Sequence, residues 1–88
     1  MSCQLKWSKI ALESLEKLPT DIAERILNKL DQIKENPKHF IERLVELNFN
    51  KIRVGDYRIL VDYLEKENII AIRDLGHRKN IYKKYKTD

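Results

Sequence analysis

Eight residues in the second half of the chain have the types and spacing to act on a phosphodiester: Lys51, Arg53, Arg58, His77, Arg78, Lys79, Tyr82 and Tyr85. An arginine offers a planar fork that grips two phosphate oxygens at once, and a lysine acts as a point charge. A tyrosine ring gives an unstacked base a platform, worth roughly 1–3 kcal/mol per base in single-strand binding. Cutting RNA with its own 2′-hydroxyl needs a base for that hydroxyl, cations for the charge that builds on phosphorus, and an acid for the departing 5′-oxygen. Arg58 and Arg78 suit the second task. Lys51, His77, Tyr82 and Tyr85 are the candidates for proton transfer. A lysine or tyrosine starts with a pKa near 10, and neighbouring cations are expected to lower it toward neutrality. Lys83, Lys84 and Lys86 extend the basic run and read either as a solvated tail or as a track for an RNA backbone.

These side chains need a scaffold that carries residues 51–58 to residues 77–85. The segment Asn50–Val61 reads as two short strands joined by Gly55-Asp56. Glycine at the first central position of a two-residue loop suits a type II′ turn. That turn sets Val54 opposite Tyr57, Arg53 opposite Arg58, Ile52 opposite Ile59 and Lys51 opposite Leu60. Side chains alternate along a strand, so Ile52, Val54, Tyr57, Ile59, Val61 and Tyr63 share an apolar face. Phe49, Lys51, Arg53, Arg58 and Leu60 share the other. Like charges directly opposite cost roughly 0.2–1 kcal/mol. The Arg53/Arg58 pair therefore needs free solvation or an anion to share.

Around this hairpin the chain predicts an α+β fold. Residues 2–7 alternate as a short strand, with Cys3, Leu5 and Trp7 on one side, and Ser8 then suits a helix N-cap. Ala11, Leu15 and Leu18 stripe a helix from Lys9 to Leu18, which Pro19 stops. A second helix, from Thr20 or Asp21 to about Glu35, has a capping box in Asp21 and Glu24. Its stripe is Ile22, Ile26, Leu30 and Ile33. Residues 38–45 read as a connector with one helical turn.

Strands are expected at about 46–54, 57–64 and 69–75. The last two join through Glu65–Asn68, in a register that sets Val61 opposite Ile72, Tyr63 opposite Ile70 and Arg73 opposite Leu60, beside Asp62. The N-terminal strand, an αα-hairpin on one face of a four-stranded sheet, an antiparallel three-strand meander and a short basic C-terminal helix complete the order. The face away from the hairpin is left open, with the tail after Gly76 able to cross it. Tyr57, Tyr63 and Trp7 are assigned to the core, and His39 to a loop.

The chain of 88 residues has room for one small core. Its net charge of +4 lies wholly in the second half: residues 1–48 carry eight basic and eight acidic residues, and residues 49–88 carry ten and six. Such one-sided charge points to a polyanion, nucleic acid before an anionic membrane surface. An open sheet face flanked by aromatics suits single-stranded RNA better than duplex DNA. A single cysteine excludes an internal disulfide. One Cys and two distant His give no metal-ligand set, and no Ser/His/Asp spacing or glycine-rich phosphate loop is present. Neither a signal peptide nor a run of roughly 20 apolar residues occurs, so a cytoplasmic protein with no membrane association is expected.

Lys51-Ile52-Arg53-Val54-Gly55-Asp56-Tyr57-Arg58-Ile59, followed by Leu75-Gly76-His77-Arg78-Lys79-Asn80-Ile81-Tyr82, closely resembles the paired signature of RelE/ParE-superfamily toxins, and RelE in particular. The likeness covers nearly the whole chain, so residues 1–88 are expected to form a single RelE-like toxin domain. The resemblance implies a ribosome-dependent mRNA endonuclease that cleaves the codon in the A site and so blocks translation. As partners it implies the ribosome, with its mRNA and rRNA, and a cognate RelB-like antitoxin; it implies no small-molecule cofactor. Carried over by position, Lys51, Arg53, Arg58 and Arg78 match basic residues of the family's active site, and Tyr82 stands where a tail tyrosine acts in some members. Two departures stand out. Phe49 occupies the position of a second strand lysine found in some bacterial members, and the spacing from Arg78 to Tyr82 is shorter than in those members. Either Tyr85 takes the tyrosine role or His77 shares the proton transfer. The alternatives are a ParE-like toxin acting on DNA gyrase and a non-catalytic RNA-binding module.

Overall fold

A computed structural model describes residues 2–44 and 49–85. Within the described residues the elements follow in the order β1 (Gln4–Trp7), α1 (Lys9–Glu16), α2 (Thr20–Ile33), α3 (Pro37–Phe40), β2 (Ile41–Leu44), β3 (Phe49–Val54), β4 (Tyr57–Leu64), β5 (Ile69–His77) and α4 (Arg78–Tyr85). The strands form one sheet in the order β1-β5-β4-β3-β2, with β1 parallel to β5 and the other neighbours antiparallel. The α+β class stands, with one strand more than the four expected.

The extra strand is β2, within the stretch read as a connector. That stretch does hold the expected helical turn, α3, but Ile41–Leu44 then pairs with β3 and sets Glu42 against Lys51. Four residues with adjacent opposite charges carry little strand signal of their own; pairing with β3 supplies it. Val45 of the expected connector and residues 46–48 of the strand expected at 46–54 lie outside the described residues.

One face of the sheet is covered by α2, whose Ile26, Leu30 and Ile33 are fully buried with Ala11 of α1 against Ile52, Ile59, Val61, Ile70 and Ile72. Each such aliphatic side chain contributes about 1.5–3 kcal/mol when taken out of water. Ser8 caps α1 as expected, its Oγ accepting the Ala11 N–H at 3.0 Å. The capping box at Asp21 does not form. Pro19 occupies the N-cap position of α2 and no side chain caps the helix, so Asp21 falls inside the first turn, where its charge favours the helix dipole instead.

The hairpin register is the expected one at every pair from Lys51/Leu60 to Val54/Tyr57. Gly55 has φ +57°, and among the described residues Asn68 alone shares a positive φ outside glycine, which separates type II′ from type I′ with its two positive residues. The β4–β5 register departs from expectation at one place. Val61 pairs with Ile72, but Leu60 pairs with Asp74, and Arg73 is left over in a bulge. Continued without that bulge, the ladder would set Asp74 on the apolar face and Leu75 opposite Arg58. The extra residue instead sends Leu75 into the core and brings Asp74 to the face of Leu60 and Arg58. Arg73 still meets Asp62, at 3.6 Å.

That second face is not left open. The helix α4 lies over part of it, with Ile81 3% exposed beside Gly76 and the Tyr85 ring edge-on to Phe49 at 5.7 Å.

Candidate active site

Arg58 is the centre of the arrangement. It is 7% exposed and pairs with Gly76 across the β4–β5 ladder, where the absent side chain leaves room. Its Nη1 donates to the carbonyls of Gly55 at 2.8 Å and Tyr57 at 2.9 Å. Its Nε is buried with no partner. No carboxylate pairs with Arg58 among the described residues. A buried cation without a carboxylate partner is expensive, and an arginine so placed is suited to take the oxygens of a phosphate.

Arg53 stands opposite on β3, exposed, and lines a cleft of about 610 Å³ between α2 and the end of β3, shared with Asp21, Glu24, Arg25 and Lys29. Two rungs along, the Lys51 side chain is 16% exposed and lies 3.8 Å from Glu42. At that length and exposure the Glu42 pairing is weak.

The Gly55-Asp56 turn also holds the second arginine. The backbone N–H of Arg78 donates to the Asp56 carbonyl at 2.8 Å, so Arg58 and the first residue of α4 are anchored on successive peptide groups. Tyr82, one turn further along α4, is half-buried, and its hydroxyl makes no hydrogen bond to the described residues. Lys79 and Lys83 are exposed.

His77 is drawn elsewhere. The bulge sets it opposite Tyr57, whose ring it meets edge-on at 5.5 Å, and Tyr57 packs on the core. Its Nδ1 accepts the Lys79 N–H at 3.3 Å. That bond serves an otherwise free donor in the first turn of α4.

Tyr85 and Lys84 are committed to a residue that spacing did not single out. Asp74 is fully buried. Its Oδ1 accepts the Ser14 hydroxyl at 2.6 Å and the Leu75 N–H at 2.8 Å, while Oδ2 accepts Lys84 Nζ at 2.9 Å and the Tyr85 hydroxyl at 2.6 Å. Burial pushes the Asp74 carboxyl upward, but the bonds from Ser14, Tyr85, Lys84 and the Leu75 amide outweigh it and hold the group below its ordinary value. Burial, then the bond to Asp74, pushes the Tyr85 phenol up to about 12. The expected lowering by nearby cations is therefore reversed at Tyr85, which is a donor to Asp74 and unsuited to serve as a base. Lys84 is an ion-pair partner rather than a free cation for RNA. Lys86 lies outside the described residues.

Sequence reasoning missed Asp74 and Ser14 because strict alternation turned Asp74 toward the core. A charged residue at a core position in an apolar strand was the available signal for a bulge.

With this geometry in hand, comparison with known proteins is specific. Residues 5–82 match the model of the ParE toxin of the type II toxin–antitoxin system parDE. The RelE4 protein of Methanocaldococcus jannaschii is 31% identical over 77 residues, which cover 85% of this chain and 82% of that protein. The toxin–antitoxin complex RelBE2 from Mycobacterium tuberculosis superimposes with a TM-score of 0.79 at 21% identity, covering 89% of this chain and 100% of the matched one. At that identity the likeness speaks for the fold alone. The RelE–RelB complex from Pyrococcus horikoshii OT3 gives a TM-score of 0.70 at 27% identity over 89% of this chain and 97% of the matched one. The chain belongs to the ParE toxin family of type II toxin–antitoxin systems, and within the wider RelE/ParE superfamily it stands close to RelE. No described helix is long and apolar enough to cross a membrane.

Proposed function

We propose that this chain is a single-domain, ribosome-dependent endoribonuclease: the toxin of a RelBE-type pair, cleaving mRNA in the A site and acting in the cytoplasm. The observation that carries the reading is Arg58, a buried cation whose Nε has no partner, and whose guanidinium has no carboxylate, among the described residues. The scissile phosphate would supply its counter-charge. In the reaction a base takes the 2′-hydroxyl proton, the 2′-oxygen attacks phosphorus, and the 5′-oxygen leaves with a proton from an acid. The products are a 2′,3′-cyclic phosphate and a 5′-hydroxyl. Arg58 and Arg78 take the charge of the pentavalent state. With His77 bound to the Lys79 amide and Tyr85 to Asp74, Lys51 and Tyr82 remain as the proton-transfer pair. Arg53, Lys79 and Lys83 hold the RNA backbone.

The neighbouring solved complexes of RelE with RelB support a RelB-like antitoxin as the cellular partner of this chain. Co-expression with such an antitoxin should relieve toxicity and yield a complex; continued toxicity and no complex would contradict the pairing.

The second reading is inhibition of DNA gyrase, favoured by the ParE description of the matching family model. Codon-resolved translation in vitro separates the two. Cleavage only on ribosomes supports the first, and loss of supercoiling without cleavage supports the second. Neither effect would leave an RNA-binding module.

A further inference from the structure

Four attachments hold α4 to the sheet among the described residues. Ile81 is its one buried apolar side chain, against Gly76. The Arg78 amide ties its first residue to Asp56, Tyr85 meets Phe49, and Lys84 and Tyr85 reach Asp74. A helix of eight residues does not sustain itself in water, and a single buried isoleucine is a pivot rather than a clamp.

The bonds of Asp74 are divided between its two oxygens. Oδ1 is taken by Ser14 of α1 and by the Leu75 amide, neither of which belongs to α4. These fix the plane of the carboxylate from the scaffold side. Oδ2 then presents one aimed acceptor to Lys84 and Tyr85. Arg78, Tyr82 and Tyr85 follow one another at i, i+4 and i+7, on one face of α4. Holding Tyr85 therefore sets the rotation of the face that carries the other two.

We infer that Asp74 is the positioning residue of the candidate site: the scaffold sets its carboxylate, and the carboxylate sets where Arg78 and Tyr82 stand relative to Arg58. The inference rests on the ribonuclease reading for its consequence in catalysis, and on the tether alone for its consequence in structure. The β5 bulge belongs to the same device, since it is what brings Asp74 to the face under α4. Ser14, which touches no part of α4 in this network, acts through the same carboxylate.

The test compares the full-length protein with Asp74→Asn, Ser14→Ala and Tyr85→Phe. In steady-state cleavage of mRNA on programmed ribosomes, Asp74→Asn is expected to lower kcat about 10- to 100-fold, the loss that misplaced groups produce, with KM within about twofold. Ser14→Ala lowers kcat in the same direction by a smaller factor. Amide exchange should quicken in α4 of the Asp74 variant and stay unchanged in β3 and β4, and absorbance titration of the two proteins should find the Tyr85 phenol ionising at a lower pH in the variant than in the parent, where burial and then the bond to Asp74 raise it. Parent-like kcat, or parent-like exchange in α4, overturns the inference. Should Asp74→Asn fail to fold, Tyr85→Phe, which keeps the ring on Phe49, is read by the same two criteria. A parent protein that does not cut RNA defeats the ribonuclease reading, and amide exchange then decides the tether by itself.

Discussion

Arg53 and Arg58 face each other directly across β3 and β4, and among the described residues neither has a carboxylate partner. One is exposed and the other buried, with a free Nε. Such a pair costs stability unless an anion joins it.

Removing the outer charge should therefore stabilise the fold. Arg53→Gln is expected to raise the unfolding free energy by roughly 0.2–1 kcal/mol, read as a higher denaturant midpoint with an unchanged slope. The same variant should bind RNA more weakly. Lower stability in Arg53→Gln would mean that the opposed pair is already compensated within the protein.

The Asp74–Tyr85 bond gives stability a window in pH. Asp74 is held below its ordinary 3.8, so its contribution is complete above that value and is lost as pH falls through the lower folded-state value. Tyr85 is raised from 10.0 to about 12, so its contribution is complete below 10 and is lost as pH rises toward 12. Melting temperature against pH should show both limbs in the parent protein and a diminished alkaline limb in Tyr85→Phe. At neutral pH that variant loses about 1.5–3 kcal/mol, the typical worth of a hydrogen bond to a charged group.

The lysines of α4 divide into two kinds. Lys79 and Lys83 are exposed without an ion pair among the described residues, whereas Lys84 is bound to Asp74. Replacing Lys79 or Lys83 with alanine should reduce the slope of log affinity for single-stranded RNA against log salt by roughly 0.7 each. Lys84→Ala should leave that slope alone and lower stability. Equal slopes for all three variants would contradict the division.

Much of the hairpin and of the first helix is legible in the sequence. The Gly55-Asp56 loop announces its turn, the turn fixes the register, and the register delivers the Arg53/Arg58 opposition, because a two-residue loop leaves no freedom in pairing. Ser8 marks the start of α1 through local chemistry alone, whereas α1 ends at Glu16, two residues before the Leu18 expected from Pro19, which instead opens α2. The strand β2 was not legible, since Ile41–Leu44 becomes a strand only against β3. Nor was the bulge at Arg73, because its cause is the cost of burying Asp74 in the core and its remedy comes from Ser14, Lys84 and Tyr85, distant in sequence. That one inserted residue accounts for the reassignment of His77, Lys84 and Tyr85 together. A period-two pattern carried past a bulge inverts every later side chain.

If Arg58 takes the scissile phosphate, its removal must show in codon-resolved mRNA cleavage on programmed ribosomes, compared between the parent protein and Arg58→Ala. A-site cleavage is expected from the parent, with a rate lower by about 10²–10³ in the variant, the usual loss when a group that stabilises transition-state charge is removed. Cleavage by Arg58→Ala at the parental rate would contradict that role for Arg58.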